Sequence, residues 1–457
     1  MTMIQKNYSY DVAVIGGGPS GLAAALAAAR HGSKVVIIER NDYLGGNAVT
    51  GLPFLGFLDK HGRQVTGGIA QEMIDTLSEM GMSPGHNRCP LHNSVTIFHP
   101  DMFKIVAMEK CEQEGIHVLL HCELVDVTVT DKRITNVTVM GKGIRINIEA
   151  NVFIDGTGDG DLAYLAGCSY EKGQEDSGVM QPPTLMFSLN GFDEEKFFKY
   201  LDEHPEDLQP AESMQVSQGY DTTYFRSHKS YVFLGLRNLL SRLRAEGKNP
   251  LTRDTLIYIN SVNPGQIYVN TTRIHNFDGT DPEEITRGTK ESMKQIMQII
   301  KLLNEEVPGF ENCYISSIIP TLGVRETRRF LGKKRLTKDD VENLRIPADT
   351  IALGSYKVDI HSGLNDTTIL TDLEGPYGIP LGCLISSEVD SLLFSGRHIS
   401  MDAYALGSVR VMPTCMAIGE AAGVCAALAV KRGISPAQVP DQDVVELLKE
   451  DNAILSI

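Results

Sequence analysis

The 457-residue sequence has no tryptophan, and its eight cysteines form no C-x-x-C pair. They stand alone as Cys89, Cys111, Cys122, Cys168, Cys313, Cys383, Cys415 and Cys425. Zinc ribbons, thioredoxin-type dithiols and iron–sulfur frameworks find no support without such pairs, and no metal is expected. In a chain of this length, isolated cysteines read as buried thiols of a reducing compartment. The N-terminal stretch MTMIQKNYSYD has no apolar signal-peptide core. Long hydrophobic runs are also missing. Residues 12–29 are interrupted by Gly and Pro, and residues 411–430 carry Glu420, so neither reads as a membrane span. A cytoplasmic protein is expected. Positive charge is scarce too: 42 Lys and Arg stand against 58 Asp and Glu, a formal charge of -16. That balance disfavours nucleic acid and anionic membrane as partners. A small-molecule substrate, a separate electron acceptor and a homo-oligomer all stay open.

What is abundant is glycine, with 43 residues. The first cluster follows a short apolar run, Asp11 to Ile15, that reads as a buried strand. Gly16-Gly17-Gly18-Pro19-Ser20-Gly21 comes next, then an Ala-rich helix over residues 22–31. Residues 34–38 read as a second buried strand, closed by Glu39 and Arg40. This is G-x-G-x-x-G between strand and helix, with an acid about 20 residues on. Gly16 permits the tight turn, Gly18 lets a pyrophosphate approach the backbone, and Gly21 lets helix and strand pack closely. The free N–H groups of the helix N-terminus face the phosphates. Glu39 can accept both ribose hydroxyl hydrogens.

Three features favour FAD over NAD. The motif lies at the extreme N-terminus. Gly45, Gly46 and Asn47 follow Glu39 closely, so a second loop can cross near the cofactor. A later strand, residues 151–155, ends in the turn Gly156-Thr157-Gly158-Asp159-Gly160-Asp161. This combination resembles the glutathione-reductase-like FAD-binding superfamily, in which the Thr-Gly strand passes near the adenosine half. The resemblance implies an α/β fold with a Rossmann-like FAD-binding domain. It also implies a β-meander, matched here by alternating strands at 116–120, 124–130, 134–140 and 144–149. Only one dinucleotide unit is visible, and no Cys pair follows Gly46. A two-site disulfide reductase is therefore disfavoured. Composition shifts near residues 165–185. A mixed segment follows to about residue 320, with strand-like runs at 184–189, 255–260 and 266–272 and a helix at 282–304. It reads as an α+β substrate domain inserted at 171–320 between two parts of the FAD domain, 1–170 and 321–457.

The last third returns to the cofactor. Residues 389–394 read as a buried strand that ends on Gly396-Arg397-His398. Met412, Pro413 and Thr414 lead into a helix over 414–431, whose N-terminus can face the flavin pyrimidine. With Gly323–Arg329, Gly354–His361 and Gly378–Leu381, these segments resemble the bacterial FAD-dependent oxidoreductase family related to fumarate reductase and succinate dehydrogenase flavoproteins. In the succinate dehydrogenase flavoproteins a His shortly after the first motif carries FAD covalently. Residues 41–58 contain no His, and His61 is the nearest candidate. Non-covalent FAD is therefore expected.

Hydride transfer at the flavin needs a proton shuttle and anion-binding groups near the substrate. His361 is the first choice for acid/base work, since an unperturbed imidazole titrates at ~6.5; Tyr356 lies close by. Arg325, Arg328, Arg329 and Arg410 form the richest cationic set, from which Arg325 and Arg410 are taken as catalytic candidates. Asn270 and Arg273 are weaker substrate candidates, and His398 is read as lining the ribityl chain. The expected activity is an FAD-dependent dehydrogenase or reductase that acts on a C–C or C–O bond or an activated C=C. An electron-relay flavoprotein subunit and an FAD monooxygenase are the other classes; the missing Trp weighs against a tryptophan-type halogenase motif.

Overall fold

The computed structural model describes residues 4–251 and 253–457. Val12–Ile15 and Val35–Ile38 are apolar and buried on both faces, as strands within a parallel sheet must be. They sit in a seven-stranded sheet ordered His117–Leu119, Val35–Ile38, Ile4–Ile15, Ile144–Asp155, Arg133–Gly141, Glu123–Thr130. Leu392–Phe394 adds alongside the end of Ile144–Asp155. The pairings of Ile4–Ile15, Val35–Ile38, His117–Leu119 and Leu392–Phe394 are parallel, and those of the meander antiparallel.

Two strands differ from expectation. The first begins at Ile4, not Asp11, because Ile4–Tyr10 pairs with residues 144–150 while staying largely exposed. The two strands expected at 144–149 and 151–155 are one, Ile144–Asp155. Its first half pairs with the meander and its last three residues with Leu392–Phe394. A further helix, Pro100–Gln113, was not anticipated; it buries Phe103, Val106, Ala107 and Cys111.

Helix Pro19–Arg30 packs against helix Met412–Arg432, backbone close to backbone. A Cβ on Gly419 would lie 2.0 Å from the Ser20 carbonyl oxygen, and one on Gly423 would lie 2.3 Å from that of Ala24. Met412–Arg432 is, among the described residues, the one helix long and apolar enough to cross a membrane; it is 89% buried over that window and is a core helix. Its Glu420 is buried, and its Oε2 accepts the Ile69 N–H at 3.0 Å, beside the start of helix Gly68–Glu79. Burial pushes this carboxyl up to about 8 from the ordinary 4.5. A raised folded-state pKa contributes stability that is present below 4.5 and lost as pH rises through about 8. Glu420→Gln, which keeps an acceptor for Ile69, should therefore raise the melting temperature by a few degrees at pH 8.5, with the gap closing by pH 5. Thermal melts across that range check it; a gap that ignores pH would refute the buried-acid origin.

A second, antiparallel sheet is ordered Val232–Gly235, Leu256–Asn260, Gln266–Val269, Phe187–Asn190, Tyr314–Ile318. Helices Glu194–Glu203, Arg237–Ala245 and Pro282–Glu306 bury their apolar faces with it. Asp281 caps the last of these by accepting the Glu283 N–H at 2.8 Å. Its core is aromatic, built on Phe197, Phe233, Tyr258 and Phe310. Cys89, Leu91, Val95 and Ile97 join the same core from a distant stretch of chain. All eight cysteines are free and buried. Burial pushes the thiols of Cys111, Cys313, Cys383, Cys415 and Cys425 up to about 12.

Candidate active site

The parallel strands end together, and the glycine turns crowd at that edge. Gly16 has φ +98°, and a Cβ there would lie 2.4 Å from the Gly156 carbonyl oxygen. A Cβ on Gly21 would lie 1.9 Å from the oxygen of Gly16. Gly18 is different, since its Cβ would meet nothing within 4 Å. The first and third glycines thus serve packing, and the second leaves room. Pro19 and Ser20 open the helix, and no side chain caps it. The second glycine loop lies over this start. Gly45 (φ +112°) donates its N–H to the Gly17 oxygen at 2.8 Å, and a Cβ on Gly46 would lie 2.9 Å from Gly18 Cα. Glu39 is buried at the base of the turn, accepting the Gly17 N–H at 2.7 Å and the Asn41 N–H at 2.8 Å.

Gly158 and Asp159 lie across from this turn. Arg397 donates to Asp159 Oδ1 at 2.6 Å and lies flat against Gly158. Arg40 reaches the same carboxylate from the surface at 4.0 Å. Gly396 (φ +99°) passes over Ser20, whose hydroxyl bonds that of Ser395. The helix starts at Met412 rather than Thr414, and Thr414 Oγ1 is buried with no partner among the described residues. That N-terminus, like the first one, has no side-chain cap and no acid in its first turn. Helices Glu194–Glu203 and Ala403–Val409 are instead capped by Asp193 and Asp402. Two uncapped helix starts, the open space at Gly18 and unpartnered atoms at Thr414 Oγ1 and Arg397 Nε suit a phosphate-bearing, hydrogen-bonding cofactor.

A cavity of about 390 Å³ begins at Asn47, Arg397 and Met412 and runs beneath the antiparallel sheet. Arg325, Tyr356, His361 and Arg410 all line it. Their common neighbour is Asp359, on strand Val358–His361. Arg410 Nη2 donates to the Asp359 carbonyl at 2.8 Å and its carboxylate at 3.2 Å. His361 Nε2 stands 3.1 Å from Asp359 Oδ1, and the Tyr356 hydroxyl 3.5 Å from Oδ2. Burial opposes ionisation of Asp359, but its contact with His361 and the charges of Arg410 and Arg325 outweigh it. The carboxyl is held well below the usual range.

Several expectations change here. Burial pulls His361 down to about 3, with Asp359 opposing, so it is neutral at pH 7 and not poised near 6.5. It orients its neighbours, also bonding Thr368 Oγ1 through Nδ1 at 3.1 Å. Arg328 and Arg329 do not reach the cavity. Arg328 binds Asp161 at 2.9 Å, and Arg329 binds Glu326 at 2.6 Å. His398 does not line it either; it is fully buried beside Phe330 and Phe394, 3.5 Å from Asp155. Asn270 lines the cavity, whereas Arg273 lies behind it and donates to the Ser362 and Thr367 carbonyls. His61 bonds the Glu374 carbonyl at 3.1 Å and takes no part. Sequence reasoning passed over His92, whose Nδ1 is 3.1 Å from the Tyr356 hydroxyl. Burial holds His92 down to about 4. No group of three or more His, Cys, Asp or Glu among the described residues could hold a metal ion.

The family model of the FAD dependent oxidoreductases matches residues 11–450. The chain belongs to that family. This oxidoreductase uses FAD, and the glycine turns and uncapped helix starts described above fit that cofactor. Over 163 residues it is 26% identical to thiamine thiazole synthase of Thermococcus kodakarensis, covering 34% of this chain and 60% of that protein. Over 124 residues it is 26% identical to soluble pyridine nucleotide transhydrogenase of Sodalis glossinidius, covering 26% of this chain and 24% of that one. The matched stretches thus span less than two thirds of either relative's length. Among solved structures, a geranylgeranyl bacteriochlorophyll reductase-like protein from Thermoplasma acidophilum matches with TM-score 0.51 and 13% identity, over 97% of this chain and 84% of that one. That likeness is one of fold.

Proposed function

We propose that this oxidoreductase is a dehydrogenase or reductase for a small organic anion bound in the cavity that starts at Asn47 and Met412. FAD, held non-covalently, would supply the hydride donor or acceptor for a substrate carbon in this cavity. The carrying observation is the Tyr356–Asp359–Arg410 group, which lines the same cavity as the cofactor-facing residues. Arg410, braced by Asp359, orients the substrate and favours negative charge developing on it. Tyr356 is fully buried and its phenol titrates well above 10, pushed up chiefly by burial, so it keeps its proton at neutral pH. It is the group that hands a proton to the substrate or takes one back. His92, neutral and 3.1 Å away, relays it, giving up a proton at one ring nitrogen as it takes one at the other. Kinship with the fumarate reductase flavoproteins and a preference for no nucleic acid or membrane partner belong to this proposal.

Purified protein should be yellow near ~450 nm, with all its FAD released into the supernatant by acid precipitation. An anaerobic screen of enoates, hydroxy acids, sugars and steroids, followed by air, is the test. Substrate-dependent bleaching of the flavin, reversed by an acceptor and without oxygen entering the product, supports the reading. Oxygenated product would support a monooxygenase instead. With a bleaching substrate in hand, Tyr356→Phe should slow single-turnover flavin reduction by ~10²-fold or more. An unchanged rate would remove Tyr356 from the proton path.

A further inference from the structure

Five arginines line the cavity against three aspartates, with no lysine or glutamate. Three of the arginines have carboxylate partners. Arg397 has Asp159 at 2.6 Å, Arg410 has Asp359 at 3.2 Å, and Arg237 has Asp254 at 3.1 Å. Among the described residues, Arg325 has only neutral acceptors, the Pro182 carbonyl at 2.6 Å and Thr184 Oγ1 at 2.9 Å. Arg253 has less. It is 5% exposed, and neither its Nε nor its Nη1 meets an acceptor among the described residues. Burial, then the nearby Arg273, draws Arg253 down to about 10, which leaves it charged at neutral pH. A buried guanidinium with unmet donors is costly unless an anion completes it.

The part of the cavity wall built by the antiparallel sheet is apolar. Met186, Val232, Leu234, Ile257 and Ile259 line it from the antiparallel sheet and the segment leading into it. A fully polar ligand, such as a sugar, would leave its hydroxyls unpaired against that wall. From these observations we infer that Arg253 and Arg325 form an anion-binding site, and that the substrate is a carboxylate with an apolar body laid along this sheet. The inference rests on the proposed function and narrows it. Arg253 reads the acid group and sets specificity, whereas Arg410, already engaged by Asp359, stays with the reacting end.

The holoenzyme tests this with octanoate and octanamide, which share an apolar chain and differ in charge. Binding is followed by calorimetry and by the perturbation of the flavin spectrum. Wild-type protein should bind octanoate at least about tenfold more tightly than octanamide. Arg253→Gln should bring the two within about twofold by weakening octanoate alone, and Arg253→Lys should fall between. Equal binding of acid and amide by wild type, no binding of either, or a full acid preference in flavin-loaded Arg253→Gln would each overturn the inference. If Arg253→Gln loses its flavin, the wild-type comparison and Arg253→Lys decide. A protein that still bleaches with some substrate yet ignores the acid group refutes only this inference. A protein that holds no FAD refutes the function beneath it.

Discussion

Gly21→Ala should give a colourless protein. The added Cβ would lie 1.9 Å from the Gly16 carbonyl oxygen, so helix Pro19–Arg30 must back away from the strand end by more than an ångström. It cannot do so alone, because its backbone at Ser20 and Ala24 is packed tightly against Gly419 and Gly423 of helix Met412–Arg432. Both helix starts would move off the cofactor together. We expect FAD content below about a tenth of wild type and a lower melting temperature of the apoprotein. Gly18→Ala is the informative comparison. Its Cβ meets no protein atom, so the apoprotein should melt as wild type while FAD binding weakens. Absorbance near ~450 nm and apoprotein melts separate the two. Normal FAD content in Gly21→Ala, or an apoprotein defect in Gly18→Ala, would contradict the division of labour between these glycines.

Asp359→Asn should leave the yellow colour intact and lower turnover by ~10²–10³-fold. The single carboxylate faces Arg410, His361 and Tyr356, and none of the cofactor-facing glycines touches it. With an amide there, Arg410 becomes a partly buried charge without a counter-ion and is free to turn away from the substrate. Of the two carboxylate oxygens that face His361 and Tyr356, the amide keeps only one as an acceptor. Asp359→Glu should recover part of the rate, because charge returns at an altered reach. Wild-type Asp359 is ionised throughout the working range, and His361, at about 3, is neutral there. Neither should therefore contribute an inflection to the pH–rate profile between pH 5 and 9. Anaerobic single-turnover reduction alongside FAD quantitation gives the answer, and an Asp359→Asn enzyme at full rate would dismiss the bracing role.

The cofactor half was legible in the sequence for a physical reason. A turn that must admit a pyrophosphate and pack a helix on a strand tolerates only glycine at Gly16 and Gly21, and that demand is local in the chain. The buried runs Val12–Ile15 and Val35–Ile38 were legible likewise, since burial on both faces leaves no polar alternation. Ile4–Tyr10 was not: it is half of the same strand, but it is exposed and polar, and only its pairing with residues 144–150 makes it β-structure. In the substrate half, Tyr356 and His361 drew notice through their own chemistry. His92, the partner of Tyr356, and Arg253 in the same cavity did not, because each comes from a loop far away along the chain and carries no shared spacing. The lowered titration of His361 was hidden for the same reason. Its titration is set by burial and by Asp359, which the residue type alone cannot reveal.

Ile144–Asp155 acts as a ruler. Its register with the first strand runs unbroken in direction from Ile4 opposite Ile144 to Ile15 opposite Asp155. The far end of that ruler sets Gly156 against Gly16, and it points the Asp155 carboxylate at the Thr157 and Ala163 N–H groups. An exposed, polar stretch remote from the cofactor thus indexes the turn that cradles it. Inserting or deleting one residue between the meander and Val152 would flip every later side chain to the opposite face and displace Gly156 from its place over Gly16. The register fixes the count of residues along this strand, whereas the turns of the meander lie outside that count.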